Sequence, residues 1–112
     1  NIVSTSGHRG ESARIAYGTA KAGLLNFTRS MAVQLAPYRI RVNSVTPTQT
    51  GTPVGKPDSP RDDNVPPTGL LMNRWGRPSD QAQAVLFLLS PNADFITGID
   101  LPCDGGSLAQ RA

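Results

Sequence analysis

Cysteine and histidine each occur once in this chain, and aromatic residues make up only 5% of its 112 residues. A lone Cys103 cannot close an internal disulfide, so the thiol content gives no sign of secretion and a cytoplasmic location is the default expectation. No apolar run reaches the roughly 18–20 residues that a membrane span needs. No basic start, apolar core and small-residue cleavage site mark a signal peptide. The formal net charge is +3, yet the arginines are scattered from Arg9 to Arg111 and only Arg39 and Arg41 stand close together. With so few aromatics to interleave, a nucleic-acid surface is not expected. His8 near two serines raises the idea of a serine hydrolase, but no G-x-S-x-G turn surrounds either serine, and an exposed loop histidine is the better reading. Asp58, Asp62 and Asp63 read as solvated loop charges rather than a cation site. Internal repeats and low-complexity tracts are absent.

What remains is an ordered alternation of strand and helix patterns. "NIVS" reads as the end of a strand, followed by a Gly- and Ser-rich loop. From about Arg14 to Leu35 the apolar residues Ala20, Leu24, Phe27, Met31 and Leu35 recur at helical spacing, and Pro37 stops the helix. "IRVNSVT", residues 40–46, alternates and is rich in β-branched residues, as a strand ending at Pro47 would be. An irregular region from about Thr48 to Gly69 holds Pro53, Pro57, Pro60, Pro66 and Pro67, and within it 51–69 has the character of a lid. "RPSDQAQAVLFLLS" begins a second helix at Pro78 and Ser79, with Ala82, Val85, Leu86 and Leu89 as its apolar stripe. "IDLPCDGG" reads as a last short strand closed by Gly105 and Gly106. Such alternation predicts an α/β fold with βαβ units and a parallel sheet. Ligands in such sheets sit beyond the carboxyl ends of the strands, where Ser4, the start of the long helix and "TPTQT" would converge.

The stretch "YGTAK" places Tyr17 and Lys21 one turn apart on a helix face. Alone it is weak, because a tyrosine beside a snorkelling lysine is an ordinary helix surface. Its company makes it specific. Ser4 precedes Tyr17 by thirteen positions, and "RVNSVTP", "GRP", "AVLFLLS", "ITG" and "CDGG" follow in order. This set resembles the C-terminal half of the short-chain dehydrogenase/reductase family. The likeness is strongest to bacterial dehydrogenases and 3-oxoacyl-carrier-protein reductases.

The resemblance implies the C-terminal half of a Rossmann-type doubly wound parallel sheet with flanking helices, and a single partial domain over residues 1–112. It implies hydride transfer between NAD or NADP and a small carbonyl or secondary alcohol. Tyr17 would be the general acid/base, helped by a cationic neighbour, since positive charge favours the anion of a phenol. Lys21 would supply that charge and hold the nicotinamide ribose. Ser4 would orient the substrate oxygen, with Ser6 as competitor; the plain alternative is that one or both only satisfy loop backbone groups. In the turn after the second strand, Pro47, Thr50 and Thr52 match the family, while Thr48 stands where glycine is usual. A β-branched residue there resists unusual dihedrals and close backbone approach. Gln49 and Gly51 would line the same pocket. Cys103 is expected to be a small buried apolar group, Trp75 a packing residue and Asn43 a structural one.

The family's glycine-rich pyrophosphate turn has no counterpart here: G-x-x-x-G-x-G does not occur. The resemblance therefore implies a half-domain, inactive as an isolated piece, and a homo-oligomer, dimer or tetramer, when complete. The alternative expectation is a non-catalytic half-domain that associates with full-length subunits.

Overall fold

The computed structural model describes residues 1–51, 65 and 67–110. Its regular elements are helix α1 (Ile15–Leu35), strand β1 (Ser44–Pro47), helix α2 (Pro78–Leu89) and strand β2 (Asp100–Cys103). Short 3-10 turns stand at Thr5–Gly7, Ala36–Tyr38 and Pro91–Ala93. The expected lid lies mostly outside the described residues, as do Thr52, Asp58, Asp62 and Asp63.

β1 and β2 run parallel, with Ser44 opposite Asp100 and Pro47 opposite Cys103. Residues 1–3 run along the other edge of β1. There Val3 N–H donates to Val45 O at 2.9 Å and Val45 N–H donates to Asn1 O at 3.0 Å. Ile2 forms a parallel bridge with Val45. The spatial order is thus residues 1–3, β1, β2, with α1 carrying the first crossover and α2 the second. The first expected strand is a single bridge, and β1 is shorter than the 40–46 read from the alternation. The reason is a lack of partners. β2 begins only at Asp100, so residues 41–43 bond the loop before it: Val42 N–H donates to Thr97 Oγ1 at 3.1 Å and Gly98 N–H donates to Val42 O at 2.7 Å. Asn43 has the structural part expected of it. Its Nδ2 donates to Ile96 O at 3.0 Å and its Oδ1 accepts from Ile99 N at 3.2 Å.

Each helix starts by a different device. α2 begins with Pro78 in its first turn, and Asp80 reaches back to accept from Arg77 N–H at 2.8 Å. That satisfies one of the donors a helix start leaves open. α1 follows Arg14, whose backbone is left-handed (φ 61) and which offers no side-chain cap. Gly18 N–H donates to Arg14 O at 3.0 Å and closes the first turn.

The apolar stripes of both helices turn out differently from the sequence pattern. On α1, Thr28 and Ala32 are buried, Leu24, Met31 and Leu35 are half-buried, and Ala20 and Phe27 are exposed. On α2, Leu88 is buried and Val85 half-buried, whereas Ala82, Leu86 and Leu89 face outward. Both helices are apolar on more than one face, so periodicity alone could not say which face meets this sheet. The apolar core consists of Val3, Ala32, Val45, Leu70, Leu88 and Ala93. Among the described residues no helix is long and apolar enough to cross a membrane.

Candidate active site

Ser4, Thr48 and Asp104 each follow directly on a strand or bridge of the parallel sheet, so the loops they open lie together at its carboxyl end. The turn Thr5–Gly7 is pressed against α1. A Cβ added to Gly7 would stand 2.8 Å from the carbonyl carbon of Lys21 and 2.9 Å from Ala22 N, both backbone atoms. Only glycine permits this approach, and it brings the serine turn beside the second turn of α1. Lys21 Nζ donates to Ile2 O at 2.9 Å, tying the helix to the chain just before Ser4.

A cleft of about 440 Å³ opens here, lined by Ser4, Ser6, Tyr17, Thr48 and Gln49 together with the charged residues Arg9, Glu11 and Arg14. Five sequence-predicted site residues thus share one wall. Tyr17 is 43% exposed, and Lys21 Nζ stands 5.7 Å from its ring centroid. The two serines differ in a way that matters for chemistry. Ser4 Oγ accepts from Ser6 N–H at 3.2 Å, which leaves its own O–H as a donor. Ser6 Oγ donates to Glu11 Oε1 at 2.5 Å, so its proton is engaged. That hydrogen bond, with lesser help from Arg14 and Arg9, holds the Glu11 carboxyl below its usual range.

The turn after β1 is built from hydroxyls. Thr48 and Thr5 share a hydrogen bond of 3.3 Å between their Oγ1 atoms, and Thr50 Oγ1 donates to Thr48 O at 2.9 Å. Thr48 is not among the residues with positive φ, so a β-branched side chain fits where the family pattern has glycine. Thr50 bridges Gly76, Gly51 N–H donates to Gly76 O at 2.8 Å, and Gly76 N–H donates to Gln49 O at 3.0 Å. The "GRP" block thereby clamps the turn. Pro47 and Thr50 are half-buried in this clamp and do not line the cleft.

These residues fit a nicotinamide cofactor. An ammonium carries three donors, and Lys21 directs one to Ile2 O, which leaves donors for a ribose diol. Tyr17 stands on the same helix face as Lys21, and the Thr48–Gln49 turn lines the same cleft as Tyr17.

The sequence pattern did not single out Arg9, Glu11 and Arg14. The available signal was three charges in six residues between the serine and the tyrosine, in a loop destined for the carboxyl end of the sheet. His8 is likewise more than a loose loop residue. Its Nε2 lies 3.1 Å from both Thr46 Oγ1 and Asp100 Oδ2, pinning the loop to both strands. Cys103 is half-buried, its Sγ 3.5 Å from Asp80 O, and burial pushes its thiol up. Trp75 Nε1 donates to Val65 O at 3.0 Å. No group of His, Cys, Asp or Glu among the described residues could hold a metal ion.

Comparison with known proteins gives the family. The family model described as enoyl-(acyl carrier protein) reductase matches residues 1–107. Cyclopentanol dehydrogenase of a Comamonas species is 39% identical over 111 residues, a match covering 97% of this chain and 44% of that protein. The solved structure of a short-chain dehydrogenase/reductase from Burkholderia xenovorans superposes with a TM-score of 0.87 at 38% identity, covering 100% of this chain and 44% of the other. A 4-hydroxyisoleucine dehydrogenase solved with NADH gives 0.85 at 32% identity, covering 99% and 46%. The chain therefore spans under half the length of the relatives it matches. Its motifs, its parallel α/β fold and these matches together place it in the short-chain dehydrogenase/reductase family.

Proposed function

We propose that this chain is one partial domain, residues 1–112, of an NAD- or NADP-dependent oxidoreductase that interconverts a small carbonyl compound and a secondary alcohol. The observation that carries the reading is the shared cleft wall, where Ser4 offers a hydroxyl donor beside Tyr17, with Lys21 at the tyrosine ring. A nicotinamide cofactor, when bound, supplies or accepts the hydride; Lys21 and the turn of Pro47, Thr48 and Thr50 would hold it, with Thr52 as the next residue of that pattern. In the reductive direction Ser4 O–H donates a hydrogen bond to the carbonyl oxygen and orients it. Tyr17 O–H then passes its proton to that oxygen as negative charge develops there. The Lys21 ammonium stabilises the phenolate left behind. Gln49 lines the substrate side. Ser6 acts on the loop through Glu11 and leaves the oxygen to Ser4.

The test is Tyr17→Phe in the protein expressed from its complete reading frame. Loss of a positioned general acid lowers kcat by roughly 10²- to 10⁴-fold. Turnover near that of the unaltered enzyme would end the assignment. Relatives that act on cyclopentanol or 4-hydroxyisoleucine support a small alcohol or ketone as substrate and a nicotinamide as cofactor.

A cytoplasmic homo-oligomer, dimer or tetramer, is part of the same reading. Its support is the exposed apolar surface of Ile15, Phe27 and Val33 on α1 and of Leu86 and Leu89 on α2. The same surface also suits a non-catalytic half-domain that docks on full-length subunits. The intact mass of the native polypeptide separates the two: about 12 kDa would favour the docking module.

A further inference from the structure

The catalytic wall carries more charge than proton transfer to a ketone needs. Arg9 and Arg14 line the same cleft as Ser4 and Tyr17, and a single carboxylate, Glu11, stands with them. The balance is one net positive charge. Each guanidinium is anchored from one side. Arg9 Nη2 donates to Ser107 Oγ, and Arg14 Nη2 donates to Glu11 Oε2 at 3.1 Å. Glu11 is itself fixed by the Ser6 hydroxyl. A guanidinium has five N–H donors in a planar fork, so such anchoring orients it without exhausting it. The Arg14 guanidinium also stands 5.5 Å from the ring centroid of Tyr17. Finally, Arg14 holds a left-handed backbone (φ 61), a conformation that costs a non-glycine residue and is often kept at functional sites.

We infer that the substrate of this site carries an anionic group, a carboxylate or its phosphate or sulfonate counterpart, which Arg9 and Arg14 bind while the reacting oxygen lies between Ser4 and Tyr17. A guanidinium fork suits such a group because its two parallel N–H bonds match a pair of anionic oxygens. Glu11 tunes this recognition, because its ionised carboxylate competes with the substrate for Arg14. The inference rests on the oxidoreductase reading of the cleft and adds the class of compound it takes.

The experiment compares a series of short oxo acids with their methyl esters, including 4-oxopentanoate and methyl 4-oxopentanoate. It uses the protein expressed from its complete reading frame. The quantity read is the ratio of kcat/KM for acid over ester, which cancels any difference in the folded fraction. We expect the acid to be favoured at least tenfold. Arg9→Gln and Arg14→Gln should each lower the ratio about tenfold, and Glu11→Gln should raise it severalfold. A ratio of one or less in the unaltered protein, or a ratio indifferent to all three substitutions, overturns the inference and leaves the oxidoreductase reading intact. If no compound in the series turns over, binding decides. 4-Oxopentanoate, and not its ester, should shift the side-chain NMR signals of Arg9 and Arg14. Shifts without turnover support the anion site and count against the oxidoreductase reading, whereas absence of shifts overturns the anion site itself.

Discussion

The two faces of the small sheet are built on opposite principles. Toward α2 the contact is apolar: Val45 lies with Val85 and Leu88 beside a half-open cavity of about 220 Å³, which the exposed Leu89 also lines. On the other face Ser44, Thr46 and Asp100 form a polar cluster. Ser44 Oγ donates to Asp100 Oδ1 at 2.5 Å, Thr46 Oγ1 donates to both carboxylate oxygens at 3.0 and 2.8 Å, and His8 joins through Oδ2. Ser44 and Thr46 are as buried as Val45, at 1%, 0% and 2% exposure. One strand of four residues therefore holds two cores, separated only by the period-two alternation of its side chains. The apolar face gains from area removed from water. The polar face is held by matched donors and acceptors, and it also fastens the loop that leads to the cleft. The lesson is that burial alone does not tell which force acts; partners do.

The contrast can be broken most strongly on the apolar side. Leu88→Ala should cost about 3 kcal/mol of stability, since the emptied volume adjoins an existing cavity and cannot collapse fully. Denaturant unfolding of the complete protein measures it, and a loss under about 1 kcal/mol would mean that Leu88 is not held by the sheet. Next comes Asp100→Leu, which strands two buried hydroxyls and should cost about 2 kcal/mol. The same measurement sharpens the point when Ser44→Ala and Thr46→Val are added. The triple variant should recover much of the loss, because both buried hydroxyls are gone and the one group that loses its partners, His8 Nε2, belongs to an exposed residue that water can reach. A triple variant worse than the single would refute the account of this face.

The smallest effect lies at the start of α2, outside both cores. The Asp80 carboxyl is held down to about 2, first by the Arg74 hydrogen bond and then by Arg77 N–H. A depressed carboxyl contributes stability that is complete above its unfolded value, near 4, and is lost as pH falls toward 2. Asp80 is open to solvent, so the contribution is modest. Asp80→Asn should flatten the fall in thermal stability between about pH 4 and pH 2, and an unchanged slope would rule the pair out as its source.

Much of this was legible beforehand, and the gaps have physical causes. Tyr17, Lys21 and Ser4 stood out through their resemblance to the family's motifs, and local periodicity was enough to put the first two on one helix face and Ser4 at a strand end. Ser4 already ranked above Ser6 by its thirteen-residue lead over Tyr17; the Ser6–Glu11 contact, which engages the Ser6 proton, adds a physical reason that the sequence could not show. The outward stripes of α1 and α2 misled because helices apolar on two faces give the same pattern whichever face meets the sheet. His8 is an exposed loop residue, as expected, but its ring contacts could not be foreseen because its partners, Thr46 and Asp100, are far away in sequence. Thr48 seemed misplaced only while its backbone was unknown. Negative φ there removes the objection.

The contact of Gly7 with the backbone of α1 bears on how such a site can change without failing. The thirteen-position interval from Ser4 to Tyr17 marks the motif in the sequence, but chain length is not what sets the distance between the two side chains. That distance is fixed where Gly7 meets Lys21, and the residues between are a span hung from two fixed piers. A span of this kind can be lengthened, shortened or recharged while the piers stay put. The loop of Arg9, Glu11 and Arg14 is therefore where the lining of the cleft can change most freely. Gly7 is the position at which even one added methyl group would push the serine turn away from α1.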